Sequence, residues 1–353
     1  MKKIILFIVI ILVFIIAILY STYGKEFLSA LDEKRVYKIE NIVTTEVNTL
    51  DEFKFFDRGI VSYNNQKIVY TDFNNKIIWE NKNTEFSNQV FIAENYIFRQ
   101  TDNNITVLDK NNQQFVIAEI DGNIVNVSRE NGKTGMIVKG NGQTLYIMNE
   151  NNEVVVDNKE FNDIITGISI SDKSEAYSLI TLTFESGTPS NTIYFNLIDD
   201  VELWSASIDN EILIKTQVVN NNVIVIGTEN IYFYNNNGKL MWKNSIYNKI
   251  LDYDISKENQ IINILFEKDN SAELISYNFE GKVLEIQGAP SEVTGLKIFD
   301  NKVLVYNNKS IYLLHSNKAD KIYESSDNIQ DFAIEGNSIY ILFKNMIIKG
   351  QIK

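Results

Sequence analysis

The chain contains no cysteine, which excludes disulfides, thiolate metal sites and thiol catalysis together. Histidine is nearly absent too. His315, in SIYLLHSN, stands alone, so a histidine-ligated zinc centre lacks ligands and a His-based triad has one candidate. At the end of an expected strand, His315 reads as a turn or edge residue. Only 2 prolines occur, so turns must rely on Asn and Gly, which tolerate positive φ. Arginine is confined to Arg35, Arg58, Arg99 and Arg129, which form no basic stripe. A net charge of −13, from 46 acidic and 33 basic residues, repels phosphate backbones, so nucleic acid is not an expected partner.

What is abundant is apolar and aromatic. Hydrophobic residues make up 44% of the 353-residue chain, with 20 Phe and 18 Tyr. These types suit the half-buried faces of sheets, and the length suffices for a large core. The first 24 residues, MKKIILFIVIILVFIIAILYSTYG, stand apart. Lys2 and Lys3 precede an uncharged run whose most apolar part, Ile4 to Tyr20, is near the lower limit of a bilayer span, roughly 17–25 residues. It exceeds a signal-peptide core of roughly 7–15 residues and has no clear small-residue cleavage site. The reading is an uncleaved membrane anchor at 1–24, with a cleaved signal as the alternative. The two lysines place the N-terminus in the cytoplasm and the remainder on the extracellular side of the cell membrane. The Lys/Asn/Ile-rich composition resembles that of a low-GC Gram-positive bacterium. Residues 25–52 form a stalk, with a short helix expected over 26–35 and a strand within 36–47.

The remainder, 53–349, reads as a repeat. Trp79, Trp204 and Trp242 are the three tryptophans, each in an apolar run just after a polar turn: NKIIWENK, VELWSASI and GKLMWKNS. Trp204 and Trp242 are about 40 residues apart and Trp79 lies about three such intervals earlier, a period that suits a four-stranded propeller blade of roughly 40–45 residues. FKFFDRG, GIVSYNN, KIVYTDF and KIIWENK give four strands with Asn- and Gly-rich breaks between them. The same order recurs in VIVIGTEN, IYFYNNNG and KLMWKNS, with a hairpin turn at or near Asn237–Gly238. A longer hairpin loop with Pro189 at its tip is expected around ESGTPSN. The last run, IQDFAIEGNSIYILFKNMIIKG, supplies only three strands, and residues 36–47 can supply the fourth and close the ring. The fold class is all-β: an eight-bladed β-propeller of four-stranded antiparallel blades, or seven-bladed if the weak unit at 90–118 is not a full blade. The tryptophans end outer strands, where they would pack between blades.

The pieces YFYNNNGKLMW (232–242), VYTDFNNKIIW (69–79) and VLDKNNQQFVI (107–117) resemble the repeat of PQQ-like β-propellers, in which an acidic–glycine turn precedes a tryptophan. An N-terminal membrane segment followed by such a propeller is similar to anchored Firmicutes proteins grouped as a PQQ-like domain of unknown function. The resemblance implies the fold. The quinoprotein dehydrogenases of the larger family use calcium, a catalytic aspartate and a disulfide beside the quinone. This cysteine-free chain has no matching residues, so no cofactor is expected. Non-enzymatic relatives, such as the scaffold subunit of outer-membrane barrel assembly, are closer in size.

A search for chemistry finds little. Asx clusters at 71–75, 101–104, 108–112 and 266–270 lack the full calcium-loop pattern and read as hairpin turns. Ser326-Asp327-Asn328 has no K-T-G companion, and Gly132-Lys133-Thr134 has no phosphate loop before it. Asp199 and Asp200, with nearby Glu202, form a local acidic spot for a cation or a basic partner, or else a solvated turn. The functional expectation is a non-catalytic scaffold for envelope or membrane proteins or for wall polymer. The alternative is a sensor or enzyme binding a small ligand, sugar or metal in the central funnel.

Overall fold

The computed structural model describes residues 36–353 except 48–49, 65, 83–89, 102–103, 118–119, 121, 300–301 and 316–317. The apolar segment 1–24 and the short helix expected over 26–35 lie outside the described residues. Among those described, no helix is long and apolar enough to cross a membrane.

Among the described residues, thirty-two strands form eight antiparallel sheets of four. Blade I comprises Glu52–Phe56, Gly59–Tyr63, Lys67–Asp72 and Ile77–Lys82; blade II, from Val90–Ala93 to Gln114–Ile117, is complete. The ring therefore has eight blades, and the seven-bladed alternative falls. Blades III to VII follow, opening with Asn123–Glu130, Ile164–Ile170, Leu213–Val219, Ile250–Ser256 and Gly295–Phe299. Blade VIII takes three strands from Asp331–Glu335, Ser338–Leu342 and Met346–Ile352, and its outer strand from Ile39–Glu46. Ile39 pairs with Ile352 and Glu46 with Met346.

The hydrophobic core is divided into eight clusters, one at each interface between neighbouring blades. This explains the composition of the middle strands. Both faces of each blade are covered by its neighbours, so strands such as Asn222–Gly227 and Asn230–Tyr234 are buried almost throughout and show no apolar/polar alternation. Inner-strand amides that point away from their own sheet are met by side chains of the preceding blade. Leu296 N donates to Asp252 (2.8 Å), Val218 N to Ser169 (2.9 Å) and Ile124 N to Gln100 (3.0 Å). Buried backbone groups are thereby satisfied where no strand partner exists.

Five blades share one turn between their third and fourth strands. Oδ1 of Asp72, Asp109, Asn149, Asn235 and Asn278 accepts the amides two and four residues on. The residue three positions on has positive φ: Asn75, Asn112, Asn152, Gly238 and Gly281. The Asx clusters at 71–75 and 108–112 are thus turns held by their own side chains. One expectation is corrected in blade IV. Ala176–Glu185 and Thr188–Leu197 form a long hairpin with a two-residue turn, Ser186–Gly187, both at positive φ. Pro189 is not at the tip. It pairs with Phe184, beyond the last pair of its strand with the outer one, Ser190–Asp209, where a missing N–H breaks no ladder on that side.

Candidate functional site

The first strands of the blades surround a central channel. On blades II to VI it opens into a cavity of about 380 Å³. Asn126 and Ser128, Thr166, Lys215 and Gln217, and Tyr253 are the polar groups contributed by four of these strands. Each lies near the start or middle of a first strand, so the ring topology gathers residues far apart in the chain. Glu94, Arg129 and Glu130 line the same cavity.

The charges are mostly paired. Arg129 is buried, approaches Glu94 (3.5 Å) and lies over the Tyr96 ring. Glu130 accepts from Lys257 of blade VI at 2.6 Å, a bridge that joins blades III and VI. Three first strands carry a lysine. Lys54 donates to the Val90 carbonyl of the next blade (3.3 Å), and Lys297 to the Phe332 carbonyl (2.7 Å) and to Asp331. Lys215 has no such acceptor among the described residues. Its burial, reinforced by the Lys257 charge, holds its pKa below the usual lysine value. Burial, and secondarily Asp252, raises that of the Tyr253 phenol, which stays protonated at neutral pH. The arrangement supplies hydrogen-bond donors and a positive charge, which suits binding more than proton transfer.

The tryptophans pack between blades as expected, but they do not end the outer strands: Trp79, Trp204 and Trp242 are each the third residue of Ile77–Lys82, Glu202–Asp209 and Leu240–Ser245, because the strand continues past the indole along the neighbouring blade. The Trp79 indole N–H donates to the Lys110 carbonyl of the next blade's turn (2.9 Å), and that of Trp242 to the Phe279 carbonyl (2.8 Å). A Cβ on Gly281 would lie 2.7 Å from the Trp242 ring, and one on Gly238 2.8 Å from Trp204. Each indole therefore covers the Asx turn of the following blade. The Trp204 N–H finds no acceptor among the described residues.

Asp199 and Glu202 are exposed, and Glu202 accepts from Ser205 (2.9 Å). Asp200 turns inward. It takes the positive-φ position of its turn (φ 72°) and meets Lys159 of blade III at 2.7 Å, Asn196 at 3.1 Å and the Tyr177 hydroxyl. The structure thus separates the three acidic residues. Burial alone would raise the Asp200 pKa, but Lys159 and Tyr177 outweigh it and hold the carboxyl below its usual value of 3.8. A carboxyl with a lowered folded-state pKa stabilises the fold above its unfolded value, and that contribution is lost as pH falls through the folded value. Asp200→Asn should therefore cost about 1–2 kcal/mol near neutral pH. Urea midpoints of wild type and variant should converge as pH falls through the lowered folded-state value, below the usual 3.8; a gap that stays constant with pH would contradict the assignment.

His315 ends the strand Ser310–His315, buried, with Nε2 2.7 Å from Asp320 and its ring edge-on to Tyr37. Asp320 also accepts the Tyr37 amide (2.8 Å), so the histidine ties the segment entering the closing strand to blade VII. Ser326, Asp327 and Asn328 lie in the connection between blades VII and VIII, and Lys133 and Thr134 begin a buried strand. Among the described residues no group of three or more His, Asp or Glu is placed to hold a metal ion.

Solved structures share this architecture at low identity. BamB from Moraxella catarrhalis is 11% identical, with a TM-score of 0.57 over 88% of this chain and 100% of that one. Sqt1 from Saccharomyces cerevisiae is 10% identical, with a TM-score of 0.55 over 91% and 97%. A eukaryotic initiation factor is 13% identical, with a TM-score of 0.58 over 86% and 87%. These likenesses establish the propeller fold. No curated protein matches the sequence. Residues 31–349, nearly the whole propeller, match the family of unknown function DUF5711, and the chain belongs to that family.

Proposed function

We propose that the protein is a membrane-tethered, extracytoplasmic propeller that docks other envelope proteins, without catalysis of its own. The observation that carries this reading is an apolar belt on six consecutive blades, I to VI. On their outer strands, mostly at the start, Ile77 and Ile78, Val116, Val154 and Val155, Val201 and Leu203, Leu240 and Met241, and Val283, Leu284 and Ile286 are all exposed, and the belt is densest on blades IV to VI. The same strands leave one edge without a strand partner, which suits recognition of protein chains. The resemblance to PQQ-like repeats of anchored Firmicutes proteins supports the tether, as do Lys2 and Lys3 before the apolar run.

Two measurements test the proposal. Protease added to intact protoplasts should degrade the propeller; full protection would reverse its side. A photo-crosslinker at Met241 or Ile286 should capture one saturable envelope partner in native membranes, while one at Glu335 on blade VIII should not. Equal labelling from both faces, or none from the belt, would remove the docking role.

The second reading, a small-ligand sensor or enzyme using the central funnel, is favoured by the cavity around Lys215.

A further inference from the structure

We propose that the channel cavity binds a small organic oxyanion, a carboxylate or phosphate monoester of about sugar size, with Lys215 receiving its charge. The proposal rests on the funnel reading and is independent of whether the apolar belt docks a partner.

Four observations converge. First, among the lysines of the inner strands, Lys54 and Lys297 both reach an acceptor on the next blade, while Lys215 has none among the described residues. Lys215 is half-buried, and a partly desolvated ammonium without a partner is costly unless a bound anion completes it. Second, the other charges around the cavity are spoken for: Arg129 by Glu94 and Glu130 by Lys257. Among the described residues, Lys215 is thus the one cation of the cavity wall left over, in a protein of net charge −13. Third, the Thr166 hydroxyl faces no partner although its oxygen is buried, and Thr166 lines the same cavity. Asn126, Gln217 and Tyr253 add amide and phenol donors, which would serve an oxyanion and the hydroxyls of its carrier. Fourth, about 380 Å³ falls in the lower range for small-molecule sites. Burial and the Lys257 charge hold the Lys215 pKa below its usual value, and a bound anion would raise it.

The test is calorimetric titration of the full-length protein in detergent with glucuronate, glucose 6-phosphate, neutral glucose and calcium chloride, at low salt. Glucuronate or glucose 6-phosphate should bind saturably, and whichever binds tells carboxylate from phosphate. Lys215→Met should weaken that binding about tenfold or more, Lys215→Arg should retain most of it, and Thr166→Val should weaken it less than Lys215→Met. Thermal melting of Lys215→Met should match or exceed wild type, since an unpaired, half-buried charge is removed, so lost binding cannot be ascribed to unfolding. The proposal is overturned if neither anion binds below about 10 mM, or if Lys215→Met binds as wild type does. Saturable glucose or calcium binding without either anion would overturn it and leave the funnel reading standing; silence from all four probes would remove both.

Discussion

A chain truncated through residue 47 is expected to lose cooperative folding, while one that starts at residue 36 keeps it. Among the described residues, the strand Ile39–Glu46 is the only cover for the outer edge of Met346–Ile352. Ile39 belongs to the core between blades VII and VIII, and Val47 to the core between blades VIII and I. Truncation therefore removes the outer ladder of one blade and opens two interfaces. Burial of Ile39 and Val47 contributes about 1.5–3 kcal/mol each, and each lost backbone hydrogen bond about 0.5–1.5 kcal/mol. The loss is on the order of 5–10 kcal/mol, comparable to the whole stability of a typical protein. The bonds of Lys38 with Lys353, in both directions, and of Val47 with Asn345 would go too. Thermal denaturation followed by far-ultraviolet circular dichroism checks this. A truncated chain that melts in one sharp transition within a few degrees of the longer one would show that the ring does not depend on its closing strand.

The second large effect is at Trp204, which is 8% exposed and packs tilted against Phe195 and Tyr234, each with ring centroids at 5.5 Å. It fills the interface between blades IV and V. Trp204→Ala is expected to cost about 3–5 kcal/mol, as for other buried aromatics cut to alanine. Trp204→Phe should recover much of this, because the indole N–H makes no bond among the described residues. Trp242→Phe behaves differently. It forfeits the bond to the Phe279 carbonyl (2.8 Å), worth about 1 kcal/mol. Urea unfolding of the four-member set Trp204→Ala, Trp204→Phe, Trp242→Ala and Trp242→Phe gives the ordering. A Trp204→Ala loss below about 1 kcal/mol would contradict its place as an interface core residue.

Much of the ring was legible because its turns announce themselves. Asp72, Asp109, Asn235 and Asn278 each open a turn whose Asn or Gly three residues later needs positive φ, and residue types record backbone conformation directly. The missing fourth strand of the last blade was legible by counting, since Asp331–Ile352 holds only three. The cavity was not legible. Its polar side chains come from Asn126 to Tyr253 on four strands, and nothing local marks a residue whose role is set by the next blade. Lys54, Lys215 and Lys297 look alike in sequence; only the neighbouring strand distinguishes the lysine without an acceptor. Asp200 was obscured for a related reason. Beside Asp199 it reads as surface charge, but the αL backbone of its turn aims it at Lys159. Pro189 shows that local chemistry alone misplaces a turn when the hairpin is lengthened by strand pairing and not by loop.

The join between Ile39–Glu46 and Met346–Ile352 also sets a clock. The first of these strands leaves the ribosome about 300 residues before its partner, an interval of roughly 15–60 s at ordinary synthesis rates. Throughout that interval blades I to VII can form pairwise, since each of their interfaces joins neighbours in the chain, but the circle stays open. The waiting strand carries exposed Ile42 and Val43 and an unpaired backbone, which is a hazard for mispairing with another nascent copy. Moving Ile39–Glu46 to follow Ile352 by circular permutation would let the last blade form as a local meander, and the closing step would then no longer require the two ends of the chain to meet.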